Sequence, residues 1–299
     1  MLRCAYISGL FFVVLLSTGW LLNAEENSAP SQIRAVRIAG VINPVQADFI
    51  SIELAAANND NARAFLIELD TPGGLDSSMR VIIQEILASR VPVIVYVYPH
   101  GARAASAGAL ITLAADFAAM APGTNIGAAH PISISPGGVF DDEQKKTMLA
   151  KMVNDAVAYA RSLAEQRGRN LDWAEQIVRD SISSSAREAL KLKVIDLIAT
   201  DQQDLLKELD GSTYRRNGKS HKIDTRNLTL RYAELTWRQE IFNTLSDPNI
   251  AYMLMMLGIL GIFFEMSQPG VILPGAIGTL ALLLDFFGFK TLPVKYIGV

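Results

Sequence analysis

Ser106 is the residue with the clearest chemical promise, in the run Gly101-Ala-Arg-Ala-Ala-Ser-Ala-Gly108. Alanine and glycine surround it, so a peptide backbone can approach the hydroxyl closely enough to be attacked. A strand over Val91-Pro-Val-Ile-Val-Tyr-Val97 leads in and a helix leaves through Ala109-Leu-Ile-Thr-Leu-Ala114, which places the serine at a strand-to-helix turn. Amides at such a helix start point at whatever lies over the serine. The same small residues would also suit a closely packed helix with Ser106 as its N-cap, and the stretch alone leaves both readings open. Thr71-Pro-Gly-Gly74 is the second such stretch. Two glycines just past the C-terminal end of a parallel strand expose backbone N–H groups where open α/β sheets bind ligands, although a loop that merely needs positive φ would look the same. His130, twenty-four positions after Ser106, is the imidazole within reach of a Ser-His scheme.

Composition removes several other chemistries. The one cysteine, Cys4, lies in a segment expected to be removed, which leaves no cysteine nucleophile, disulfide or cysteine-bound metal. Three histidines without an HExxH pattern argue against a zinc hydrolase, so no metal or other cofactor is expected. A net charge of −3 provides no basic footprint for nucleic acid.

The elements that must position the serine follow a βαβ rhythm. Ile33 to Val41 is a β-branched run, Asn43-Pro44 caps a helix over Val45 to Ala57, and Ala64 to Leu69 is a second strand. A helix from Asp76 to Ser89 carries Met79, Ile82, Ile83, Ile86 and Leu87 at helical spacing. Strands separated by helices imply parallel pairing through right-handed crossovers. Phe117 to Ala121 reads as a strand, 133–142 as a mobile loop, and Glu143 to Arg167 as a long helix. Another helix runs from about Asp172 to Asp180, Ser185-Ala-Arg-Glu188 is a capping box, and Val194 to Ile198 is a strand. Asn217-Gly218 signals a hairpin.

Both ends of the chain differ from this α/β body. Arg3, the apolar run from Leu10 to Leu16, Trp20 to Leu22 and then Asn23-Ala24 predict a secretory signal over 1–24, with an uncleaved anchor as the alternative. Export is expected either way. The soluble domain should span 25–232, beginning with a polar spacer over 25–31. Residues 233–247 suit a helix lying at a membrane surface. Two transmembrane helices are expected within 248–290, broken around Pro269-Gly270 and Pro274-Gly275, and 291–299 form a tail. A hairpin buried in a soluble core is the rival. Glu265 and Asp285 are expected near wet interfaces.

Three motifs stand in order: Thr71-Pro-Gly-Gly74, Gly101 to Gly108, and Ala121-Pro-Gly-Thr-Asn-Ile-Gly-Ala128, the last running on to His130-Pro131. Together they resemble the NfeD family of membrane-bound serine proteases. The likeness continues through Ala158 to Asn170 and into Asp247-Pro-Asn-Ile-Ala-Tyr252. It implies a Clp protease/crotonase-like ββα-spiral α/β domain followed by a C-terminal transmembrane helical hairpin. It also implies Ser106 as nucleophile, the Gly73/Gly74 backbone and the Ala107 amide as oxyanion donors, and Lys151, seven positions before Ala158, as general base. A lysine base needs an apolar surround that favours the free amine, which Met148, Met152 and Val153 could supply. Without the resemblance, Lys151 would be a surface lysine paired with Asp155 one helical turn on. His130 remains the alternative base, with no orienting acid identifiable from sequence.

The resemblance further implies a serine endopeptidase that cleaves hydrophobic, membrane-proximal segments, with stomatin-like membrane proteins as substrate or partner. It implies self-association into a homo-oligomer, and a cytoplasmic-membrane location with the protease domain on the extracytoplasmic, periplasmic side. Two rivals share the fold: acyl-thioester chemistry using the same glycine amides, disfavoured by export, and a non-catalytic membrane scaffold. Longer members continue into further membrane segments and an OB-like domain, whereas this sequence stops at Val299, as a short member, a truncated frame or a fragment would.

Overall fold

The structure is a computed structural model that describes residues 32–290 apart from 61, 132–141, 217, 227 and 269–271. The expected signal and the expected 133–142 loop therefore lie outside the described residues or almost wholly so. Six strands form one parallel sheet in the order β11-β1-β2-β3-β5-β8, comprising β1 (Gln32–Ala39), β2 (Ala64–Asp70), β3 (Val93–Val97), β5 (Phe117–Met120), β8 (Leu197–Ile198) and β11 (Thr229–Ala233). Helices α1 (Pro44–Asn59) and α2 (Asp76–Ala88) make the first two crossovers. Asn43 caps α1 by accepting the Gln46 N–H, and proline opens the helix where an N–H would be orphaned anyway. Met79, Ile82, Ile83 and Ile86 of α2 are buried as their spacing predicts, each isoleucine worth about 1.5–3 kcal/mol of burial.

A second, three-stranded sheet carries the site. It joins β4 (Arg103–Ala105), β6 (Asn125–Gly127) and β7 (Ser183–Ser185) in the order β4-β6-β7, and α3 (Ala107–Ala114), buried at every position, follows β4. The long helix α4 (Asp142–Arg167) and α5 (Leu171–Arg179) precede β7, and the expected capping box opens α6 (Ala186–Lys191). After β8 come α7 (Gln202–Leu209) and the expected hairpin, β9 (Thr213–Arg216) with β10 (Lys219–Lys222).

Two sequence expectations change. The strand that delivers Ser106 is β4 rather than β3. The segment 98–102 leaves the main sheet first, and three small residues then pair with β6. The domain closes on β11, an edge strand beside β1 that sequence did not suggest, because its five half-polar residues make too short a run to stand out from the loop before it.

Helix α8 (Trp237–Leu245) leads into α9 (Pro248–Ser267) and α10 (Ile272–Lys290). Trp237 and Ile241 are exposed on α8. Helix α9 is long and apolar enough to cross a membrane, and the apolar part of α10, Ile272–Phe286, is shorter. The two pack backbone to backbone: a Cβ at Gly261 would stand 2.4 Å from the Pro274 carbonyl oxygen. Met253, Met256, Ile259 and Phe263 face outward, unlike the core of a soluble hairpin. Asp285 corrects its own expectation, being only 4 % exposed rather than wet.

Candidate active site

The site forms where β2 ends. Thr71, fully buried, receives the Ala105 N–H on its carbonyl at 3.0 Å and gives its own N–H to Arg103 at 2.7 Å, which fastens the Thr71 loop to β4. Its Oγ1 accepts the Gly73 N–H and donates to the Gly73 carbonyl, both at 3.0 Å. Ile42 clamps the other side, giving its N–H to the Gly73 carbonyl at 2.8 Å and accepting the Leu75 N–H at 2.9 Å.

Both glycines are required by this geometry. At Gly73, with φ +121°, a Cβ would lie 2.7 Å from the Ser106 Cβ and 3.2 Å from its Oγ. At Gly74 it would lie 2.1 Å from the Ile42 carbonyl oxygen. A methyl at the first position invades the serine, and at the second it breaks the clamp.

Ser106 occupies φ 53°, ψ −114°, a conformation that costs a non-glycine residue about 1–3 kcal/mol and needs surroundings that enforce it. The enforcement is visible: the Ser106 N–H bonds the Gly127 carbonyl at 2.9 Å, its carbonyl accepts from Ala109, and β4 is paired on both sides. This is the sharp strand-to-helix turn that lifts a nucleophile out of the chain. The N-cap alternative fails, because the serine side chain makes no capping hydrogen bond. Among the described residues its Oγ has no hydrogen-bond partner, and neither the Gly74 nor the Ala107 N–H has an acceptor. Of the three expected oxyanion donors, two are open and the Gly73 amide is held by Thr71.

The two candidate bases are placed differently. His130 is half-buried with Nδ1 2.8 Å from the Val178 carbonyl, so a main-chain oxygen, not a carboxylate, orients it. Lys151 is exposed on α4, in an open depression of about 480 Å³ lined also by Glu143, Gln144, Thr147 and Met148. Met148 is 53 % exposed, so the apolar surround is not closed within one chain, although Val153 packs on the core. The Asp155 pairing open to Lys151 is taken instead by Arg80, at 2.6 Å. Arg80 also lies 4.5 Å over the Tyr159 ring, whose hydroxyl pKa is raised by burial. Arg80 thus ties α2, which begins just after the glycine pair, to the helix carrying Lys151.

Ile42 is a site residue that sequence reasoning missed, and Thr71 and Gly127 stood inside the quoted motifs without an assigned role. The Thr-x-Gly spacing was the one available signal, since a threonine side chain commonly bonds the backbone two residues on. A Cβ at Gly127 would lie 2.3 Å from the Ile182 carbonyl oxygen, so this glycine lets β7 close on the strand that holds Ser106.

This arrangement has known counterparts. The sequence matches the NfeD1b N-terminal domain over residues 32–214 and the NfeD integral membrane domain over 249–299. The chain belongs to the NfeD family. Its curated relatives include membrane-bound protease PH1510 of Pyrococcus horikoshii, 37% identical over 264 residues that cover 87% of this chain and 59% of that protein. Membrane protein NfeD1b of Bacillus subtilis is 28% identical over 284 residues, covering 95% and 61%. This NfeD chain therefore spans about three-fifths of the length of the curated relatives it matches.

Solved structures resemble the NfeD domain closely. One is 1510-N, described as a membrane protease specific for a stomatin homolog from Pyrococcus horikoshii, with TM-score 0.63, 35% identity, and 73% of this chain and 100% of that one covered. Another is a lysine-to-alanine variant of the 1510-N membrane-bound stomatin-specific protease with a substrate peptide, at TM-score 0.64 and 37% identity, covering 71% and 96%. A serine-to-alanine variant matches at TM-score 0.63 and 38% identity, covering 70% and 100%.

Proposed function

We propose that this NfeD protein is a membrane-anchored serine endopeptidase working through a Ser106–Lys151 dyad. One observation carries the reading: a strained serine without a capping role stands against a glycine whose missing side chain leaves room for a scissile peptide. Ser106 Oγ attacks the carbonyl carbon, its proton passes to the Lys151 amine, and negative charge gathers on the carbonyl oxygen. The open Gly74 and Ala107 amides, with Gly73 beside them, receive that charge. On collapse, the lysine returns the proton to the leaving amine, and water then releases the acyl group by the reverse course. The serine and lysine variants made in 1510-N support this pairing of roles.

An exposed lysine makes a poor base, so the reading requires that a second copy of the chain, the bound substrate or both cover α4 and bring Lys151 to the serine. The homo-oligomer is thus part of the proposal. The substrate is a hydrophobic, membrane-proximal segment of a stomatin-like protein. Three features support this: the substrate named for 1510-N, the integral membrane domain, and the emergence of α8 from the carboxyl end of β11, the same end of the parallel sheet as the glycine loop that follows β2. The protease domain, 25–232, lies on the extracytoplasmic side of the cytoplasmic membrane.

The test is cleavage of hydrophobic peptides by the full chain in detergent. Loss of cleavage in both Ser106→Ala and Lys151→Ala, with His130→Ala active, is the expected result. An active Lys151→Ala with an inactive His130→Ala would transfer the base to His130, and an active Ser106→Ala would end the protease reading.

A further inference from the structure

Lys151, Asp155 and Tyr159 follow one another a turn apart along one face of α4, the spacing at which helix side chains meet. Arg80 of α2 spans the last two. Its Nη2 donates to Asp155 Oδ2 at 2.6 Å, its Nε donates to Asp76 Oδ2 at 2.8 Å, and its guanidinium carbon lies 4.5 Å from the centre of the Tyr159 ring. That ring is half-buried and packs on the core, so the guanidinium rests on a fixed platform. An isolated pair this exposed would be weak. A planar cation held at once by a ring and two carboxylates is a standing partner for Asp155.

The consequence falls on Lys151. Asp155 is the carboxylate one turn from its amine, and a free carboxylate at that spacing favours the ammonium, whereas a general base must be the uncharged amine. With Asp155 engaged by Arg80, Lys151 makes no ion pair among the described residues. The surrounding charges are arranged to leave it so. Helix α3, which packs on α4, carries no charged residue. From α5, Arg179 is directed to Asn154 and Glu175, and Glu175 also receives Arg161. Asp76 of α2 is held by Arg80 itself. On α4, Glu143 lines the same depression two turns earlier, with Lys146 exposed nearby in sequence.

We propose that Arg80 is a positioning residue of the dyad: by holding Asp155 it denies Lys151 a counterion one turn away and keeps the amine available as the base. This role rests on the Ser106–Lys151 reading. It acts through Asp155, and an arginine suits it because the guanidinium stays charged across the working pH range.

The experiment records the pH profile of kcat/KM for hydrophobic peptide cleavage by the full chain in detergent. A second measurement, which needs no turnover, is the rate at which limiting acetic anhydride acetylates Lys151, read by mass spectrometry. Cleavage by a free-amine base rises with pH along the acid limb of the profile. Arg80→Met keeps the length of the side chain and releases Asp155, so it should move that limb up by about half a pH unit, roughly a threefold loss at a fixed pH on the limb, and slow acetylation by a similar factor. Adding Asp155→Asn should return both measurements to wild type, and Arg80→Lys should stay near it. A merely structural arginine would instead lower cleavage at every pH, without relief from the second substitution. An unmoved limb and unchanged acetylation in Arg80→Met, or a double variant shifted as far as the single one, would overturn the role of Arg80 while leaving the dyad in place. Full cleavage by Lys151→Ala would overturn the dyad and the role of Arg80 with it.

Discussion

The two ends of the parallel sheet are built on opposite principles. At the end where strands begin, the Asp116 carboxylate is wholly buried and shared by Arg167, Arg216 and the Val93 N–H, and Arg216 also donates to the Ser89 carbonyl. Beside it, Arg169 holds Asp196, which accepts the Ala118 N–H. Three guanidinium groups meet two carboxylates there, with the Nε atoms of Arg169 and Arg216 left without acceptors among the described residues, and the β9–β10 hairpin is pinned to the sheet. At the end where strands finish, the chain leaves things unmatched: a hydroxyl with no partner, two amides with no acceptor, a serine in a costly conformation. A protein can leave one edge reactive if the other is closed, since local strain survives only where its surroundings over-determine it. Parallel sheets favour this division because their loops collect ligands at the strands' carboxyl ends.

If the contrast holds, damage at the two ends should separate cleanly into chemistry and stability. Ser106→Ala is expected to lower peptide cleavage by at least about 10³-fold while the thermal unfolding of the full chain stays unchanged. Asp116→Ala should do the reverse. It strands two buried guanidinium groups, at a cost of about 3–5 kcal/mol, and should lower the unfolding temperature by roughly 10 °C without altering cleavage per folded molecule. Gly73→Ala tests the reactive edge without removing any polar group: the added methyl meets Ser106, and displacing the nucleophile by about an ångström should cost about 10²-fold in kcat. Thr71→Val, which frees the glycine loop from its hydroxyl, should cost roughly thirtyfold, the worth of two hydrogen bonds of ~1 kcal/mol each, chiefly in kcat. A Thr71→Val variant that unfolds like Asp116→Ala would show the glycine loop to belong to the structural end after all.

The sequence was most informative where a residue type had one physical use. Asn43-Pro44, the Ser185 capping box, the spaced isoleucines of α2 and the two glycine-punctuated apolar stretches each predicted an element that is present. Ser106 and Gly73 stood out because small residues around one hydroxyl have few uses, and the structure brings these two together. Strand β4 escaped because three residues carry no periodicity, and β11 because an edge strand can be short and half polar. Nothing in the sequence near Lys151 marked it as special, and the structure leaves it exposed on α4, so neither burial nor a partner singles it out. Asn43 and Asn243, hydrogen-bonded in the structure, could not be paired from sequence, being 200 residues apart.

The route by which the chain leaves the sheet has a mechanical consequence. Only residues 234–236 separate β11 from α8, and only Ser246 and Asp247 separate α8 from α9. On the proposed reading, with α9 spanning a bilayer, so brief a tether would hold the serine end of the sheet at a nearly constant height above it, as a ruler would. Which bond of a neighbouring polypeptide is cut would then be chosen by its distance from the lipid surface as much as by its side chains, and lengthening the tether should move the cut.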